Sequence, residues 1–288
     1  MLSTSKPLPE DSMDLSTLLP DGLLPEGLTP ELLVLLVLAA VAAGWVDAVV
    51  GGGGLLQLPA LLLIPGIVPV QALATNKLAS IFGTGAASLT YYRRVRPDLR
   101  TAAPVAAVAL IGSFAGASLA ALLPAAVFKP AIVVALVLVA VVTVARPSLG
   151  AELALRHRGA RHYGTAVAIG AAIGFYDGIL GPGTGTFLVI ALVALLGYDF
   201  LQASAKAKIV NFATNLGALL LFIPHGSVFW GLGLVMAAAN VLGSRIGAGM
   251  AVTRGSRFIR IAFLVVVGAL IVRLGIDVWT ENLGPLVA

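Results

Sequence analysis

The chain has 288 residues, of which 59% are hydrophobic and 11% charged, against roughly 25% charged in an ordinary soluble domain. Its mean hydropathy is +1.03. There is too little polar surface to cover such a core in water, so the soluble enzyme folds are excluded and an integral membrane protein is expected. Cysteine is absent, which excludes disulfides, iron–sulfur clusters and thiolate zinc sites. Three His make a His-rich metal site a poor reading, so no cofactor and no metal are expected. The net charge of +5 sits in short loops between apolar runs. That is how membrane topology is written, and it does not point to nucleic acid.

Residues 1–31 hold five Pro and the acids Glu10, Asp11, Asp14, Asp21, Glu26 and Glu31 against one base, Lys6. A basic start, an apolar core and a small-residue cleavage site do not follow in order, so this stretch reads as an acidic tail and not as a leader. Five apolar segments follow, at 32–50, 55–65, 72–92, 102–123 and 127–145. Five more lie at 163–180, 184–197, 203–223, 228–251 and 258–279. A polar connector, 148–162, separates the two sets, and 280–288 is a short C-terminal tail.

The two sets repeat. GWVDAVVGGGG at 44–54 returns as GFYDGILGPGT at 174–184, an offset of 130. QALATNKLASIFGT at 71–84 matches QASAKAKIVNFATN at 202–215, and GSFAGASLA at 112–120 matches GSRIGAGMA at 243–251, both at 131. The expected fold is therefore an all-α polytopic membrane protein made of two homologous repeats, 32–147 and 163–279. The second segment of each repeat is too short to cross comfortably, since a spanning helix needs about 20 residues. Each follows a glycine-rich break, at Gly51, Gly52, Gly53 and Gly54 or at Gly181, Pro182, Gly183 and Gly185. Backbone freed there must face protein or a wet cavity. Eight to ten membrane helices are expected, ten being preferred with the second of each repeat short or broken; a re-entrant pair formed by the first two segments, leaving three crossings per repeat, is the alternative.

Loop charge orients the chain. Arg93, Arg94, Arg96 and Arg100 follow the third segment, and Arg254, Arg257 and Arg260 follow the ninth, so both loops are expected to be cytoplasmic. The loop at 223–231 has no Lys or Arg. Equivalent loops then face opposite sides, as inverted repeats require. Both termini are expected outside.

The glycine cluster after Asp47, the stretch ATNKLASIFGTGAAS at 74–88 and its echo in the second repeat resemble the TauE/SafE family, also called the toluene sulfonate uptake permeases. The resemblance covers nearly all of 32–279. It implies a bacterial inner-membrane transporter linked to sulfite, sulfoacetate and other organosulfonates, driven by an ion or proton gradient. It does not specify the substrate.

Charge inside apolar segments marks function or a need for a partner. Lys77 and Lys208 are equivalent. Ser80 and Thr84 follow the first, Asn211 and Asn215 the second, at spacings of three and four that keep each set on one helical face. Cations with amide and hydroxyl donors suit an oxyanion; snorkelling of each Lys to the interface is the competing reading. Asn76 joins the candidate anion contacts. Gly52, Gly53, Gly183 and Thr184 join them as a backbone nest at the breaks, the alternative being close helix packing on glycine. Gln57 and Thr186 lie near the same breaks.

Asp47 and Asp177, also equivalent, are read as structural or coupling residues: each can carry a proton, cap a helix, or pair with a buried cation such as Arg245. Arg245 is either that partner or a further anion contact. Lys206 reads as an interfacial charge, His162 as a connector residue, and Trp45, Trp230 and Trp279 as interface belt. The expected function is a secondary transporter of small anions, sulfite or organosulfonates, working by alternating access. Its expected partners are the substrate anion, the bilayer and a coupling proton or cation. A membrane-embedded enzyme or an anion channel is the alternative. No nucleophile–His–acid set supports the enzyme.

Overall fold

A computed structural model describes residues 14–15, 23–120, 150 and 152–278. The fifth apolar segment, most of the tail, Trp279 and the C-terminal tail lie outside the described residues. Within them the chain forms helices and turns without strands.

Helix α1, Pro30–Val49, starts where Thr29 accepts a hydrogen bond from the Leu32 amide at 3.3 Å and Pro30 supplies a preset φ. It stops at the first glycine break. The short α2, Gly54–Leu61, follows, and then α3, Pro69–Val95, which ends at Arg96 in a left-handed conformation. Next come α4, Leu99–Ala120, and α5, Gly159–Ile179, which stops at the second break. Helix α6, Thr184–Ala191, widens into a π-helical turn, Leu192–Leu196, closed by Gly197. Helix α7, Phe200–Phe222, is capped by Asp199, whose carboxylate accepts from the amides of Leu201 and Gln202. Helical structure over Trp230–Val278, α8, breaks at Gly255 (φ 70°, ψ −168°) into two arms, 230–254 and 256–278.

By length and composition, α1 and α4 are long and apolar enough to cross a membrane. Helices α3, α5 and α7 are of similar length but carry charges that are buried within the protein. The outer surface is apolar: Val34, Leu38, Ile111, Leu242, Val265 and Val272 are each more than half exposed, as on a protein solvated by lipid.

Contacts near the helix ends divide the molecule into two ends. At the first, Gly27 lies against Pro65, the Gly231 amide donates to the Leu23 carbonyl at 2.9 Å, and the Phe229 amide donates to Thr75 Oγ1 at 3.2 Å. At the second, Thr101 donates to Asp98 at 2.7 Å and His162 lies 3.1 Å from the Tyr198 hydroxyl. Ser256 there donates to Asp199 at 3.0 Å. Helix α2 therefore leads back to the end where α1 begins. Helix α6 likewise returns to the end where α5 begins, which is the opposite one. The short second segments are return limbs of two helical hairpins and do not continue across. The sequence-based preference for ten crossings is corrected accordingly: the eight residues of α2 rise only about 12 Å and the thirteen of α6 with its π turn at most about 20 Å, both short of the roughly 30 Å hydrocarbon core. The two arginine-rich loops, 93–100 and 254–260, share the second end.

Glycine sets the packing. Helix α1 packs on the first arm of α8, where a Cβ on Gly44 would lie 2.2 Å from the Asn240 carbonyl oxygen and one on Gly243 1.9 Å from that of Val41. Helix α4 packs on α5 in the same way, through Gly116 against the Phe175 carbonyl and Gly174 against that of Ala109. Close backbone approach of this kind drives helix association where no hydrophobic effect operates. Under the sequence offset of 130–131, the α1–α8 pair exchanges with the α5–α4 pair. The α3–α8 contact likewise exchanges with α7–α4, and α3 meets α7 between them.

Candidate functional site

The two glycine breaks meet. Gly51 (φ 95°) lies against Gly185, and the Thr186 amide donates to the Gly51 carbonyl at 3.1 Å. A Cβ on Gly51 would stand 2.2 Å from the Gly185 carbonyl carbon, so only glycine permits this crossing. Gly53 is pressed against α1, where a Cβ would meet the Ala43 carbonyl oxygen at 2.4 Å. Gly52 and Gly53 are buried, Gly53 as a packing position, whereas Gly51, Gly54, Gly181, Gly183 and Gly185 line a small cavity between the hairpin tips.

Two lysines approach this region from opposite ends, each eight positions beyond the first residue of its helix: Lys77 in α3 and Lys208 in α7. Neither snorkels. Lys77 is 2% exposed, and its Nζ donates to Asp177 Oδ2 at 2.5 Å. The other carboxylate oxygen of Asp177 accepts from the Thr184 hydroxyl at 2.6 Å. Lys208, fully buried, donates to Asp47 Oδ2 at 3.2 Å and also to the Asp47 backbone carbonyl. Each lysine is therefore paired with the aspartate of the other sequence repeat. Two cations and two carboxylates cancel, and neutralisation of this kind is what a buried charge requires.

The cavity, about 30 Å³, holds room for water. Its wall includes Lys77, Asp177, Asp47, Asn76, Ser80, Thr84, Thr184, Asn211 and Asn215. Lys208 stands behind that wall and does not line it. Asn215 Nδ2 reaches Thr84 Oγ1 at 3.5 Å, which joins α7 to α3. Among the described residues, Asn76 Oδ1 and Asn211 Oδ1 are buried without a hydrogen-bond partner. A turned amide offers either a carbonyl oxygen or two N–H donors at such a position, so both are available to a ligand.

Several residues fall elsewhere than the sequence suggests. Arg245 is exposed on α8, and the lysines fill the role of carboxylate partner. Lys206 is packed inside the second end, 2% exposed, its Nζ 4.2 Å from the centre of the Tyr198 ring. His162 belongs to α5 and is buried between Thr101 and Tyr198. Nearby Asp98 is exposed; the slight burial it has opposes ionisation, but hydrogen bonds from Thr101 and the Arg100 amide hold its carboxyl below its ordinary value. Gln57 accepts from Asn240 Nδ2 at 2.8 Å, and Ser244 donates to the Gly44 carbonyl at 3.2 Å. In the sequence Gln57 stands near the glycine break and Asn240 five residues before Arg245, a poor match to one face, and nothing there pairs the two in this second polar network. The spacing of Asn240 and Ser244, four residues apart on α8, was the signal available.

An apolar exterior, two helical hairpins entering from opposite ends, and a polar cavity at their tips define a polytopic membrane transporter. The chain belongs to the sulfite exporter TauE/SafE family, which it matches over residues 36–274. It is 37% identical to a probable membrane transporter protein of Sinorhizobium, over 85% of this chain and 93% of that one. It is also 37% identical to the probable membrane transporter protein YfcA of Escherichia coli, over 82% and 86%. A probable membrane transporter protein of Haemophilus influenzae is 36% identical, over 80% and 89%. No solved structure matches the chain. The relatives are bacterial membrane proteins, and the expected class and family stand.

Proposed function

We propose that this protein is a secondary carrier of small oxyanions, sulfite or organosulfonates, whose two halves are inverted repeats that alternate access to the cavity at Lys77. The observation that supports this most is Lys77 itself: a buried ammonium on the wall of a cavity otherwise lined by carboxylates, amides, hydroxyls and glycine backbone. Ammonium, amide and hydroxyl donors together fit a sulfur oxyanion. The crosswise exchange of helix pairs supports the inverted repeat, and the family's description supports a sulfur oxyanion as cargo. Arginine at the second end orients that end to the cytoplasm and the N-terminal helix start to the outside.

Flux of sulfite, methanesulfonate, taurine and sulfate into proteoliposomes tests the reading. Saturable transport of one or more of them is expected from the native chain, and none from Lys77→Gln inserted at normal levels. Transport of all of them by Lys77→Gln at native rate and affinity would overturn it.

A further inference from the structure

We infer that the anion occupies this site together with one proton carried by Asp177, so that the protein moves a monoanion and a proton as a net-neutral load. This rests on the anion-carrier reading above and assigns its coupling ion. The starting point is the charge balance. Lys77 and Lys208 are already neutralised by Asp177 and Asp47. A monoanion added to this arrangement leaves one uncompensated negative charge in a region walled by apolar helices, where an unpaired charge is poorly tolerated. One proton restores neutrality.

Geometry selects the acceptor. Lys208 lies behind the cavity wall and is held by the Asp47 carbonyl as well as the carboxylate. Protonating Asp47 would leave that backbone bond in place and deliver no cation to the cavity. Lys77 lines the cavity, and its bond is to Asp177 Oδ2. A proton on that oxygen removes the charge that holds Lys77, and an anion oxygen then takes the vacated place on Nζ. The neutral carboxyl keeps the Thr184 hydroxyl on Oδ1. Asn76 and Asn211 also line the cavity, and their amides, turned to present Nδ2, supply further donors to the anion.

The groups around Asp177 are few. Lys77 faces it from α3, Thr184 from α6, and Asp47, backed by Lys208 of α7, from across the cavity. Tyr176, beside it on α5, donates to the Pro182 carbonyl at 2.8 Å. On the α4 side the neighbours of Gly178 are Ser113 and Ala117, both uncharged.

The test is a proton count on the purified full chain. Methanesulfonate and sulfite are titrated calorimetrically in weak buffers of different ionisation enthalpy, the titration of free sulfite being subtracted. The native chain is expected to take up about one proton per methanesulfonate bound, with affinity falling about tenfold per pH unit wherever binding takes up that proton. Asp177→Asn is expected to bind with no proton uptake and no such pH dependence, because its Lys77 is already free. Asp47→Asn is expected to keep the proton count of the native chain. Native binding without proton uptake, or uptake that persists in Asp177→Asn, overturns the inference and leaves the carrier reading standing. If the native chain binds neither anion, the carrier reading fails and the inference with it. The native count decides the matter even if Asp177→Asn does not fold.

Discussion

At the scale of single residues, the two lysines are equivalent in sequence and unequal in place. Lys77 opens onto the cavity and Lys208 does not. Lys77→Ala is therefore expected to abolish anion flux, and it also leaves Asp177 buried without its cation, which lowers the melting temperature as well. Lys77→Arg should recover little of that flux, because a planar fork does not replace a compact ammonium. Both are read by flux at matched membrane levels. Lys208→Ala should act chiefly on stability. It leaves Asp47 without its cation, at a cost of about 3 kcal/mol, read as a lowered melting temperature in detergent. Ser80→Ala, on the cavity wall, should weaken anion binding by about 1 kcal/mol, the worth of one hydrogen bond. The sequence marked these residues because intramembrane charge is rare. It marked Asp47 and Asp177 as able to pair with a buried cation but not which cation each takes, because Lys77 and Asp177 stand a hundred residues apart and only helix crossing brings them together.

At the scale of elements, glycine does two separable jobs. At the hairpin tips it lets two backbones touch. Gly185→Ala would put a Cβ 2.6 Å from both Gly51 Cα and Asn211 Nδ2, and it is expected to destabilise the fold by about 1–3 kcal/mol and to impair flux. Gly249, in the first arm of α8, has no atom within 4 Å of where a Cβ would stand. Gly249→Ala should be neutral or stabilise by up to about 1 kcal/mol through helix propensity. Thermal unfolding of the two variants in the same detergent compares them directly. A lower melting temperature for Gly249→Ala than for Gly185→Ala would contradict the contact geometry. Glycine-rich breaks were plain in sequence. Which glycines line the cavity and which are pressed into α1 was not, because the distinction depends on the opposite hairpin.

At the scale of the whole molecule, the return of α2 and α6 places both arginine-rich loops at one end and the 223–231 turn at the other. The native chain lacks cysteine, so single-cysteine variants report topology without background. Arg94→Cys and Arg257→Cys are expected to react with an impermeant maleimide only from the cytoplasmic side, and His225→Cys only from outside. Labelling of Arg94→Cys and Arg257→Cys from opposite sides would break the arrangement of ends described above.

Membrane class, the intramembrane polar residues and, among the described residues, the approximate extent of most helical segments were legible in the sequence. Lipid offers no hydrogen-bond partner, so each segment must satisfy its backbone locally, and local satisfaction is written in local composition. Tertiary structure alone decided that the short segments turn back and that each lysine takes the aspartate of the other repeat. It alone set Arg245 on the surface and brought Lys77, not Lys208, to the cavity. Those outcomes follow from which helices cross and at what depth, and crossing is governed by glycine contacts between segments far apart in the chain.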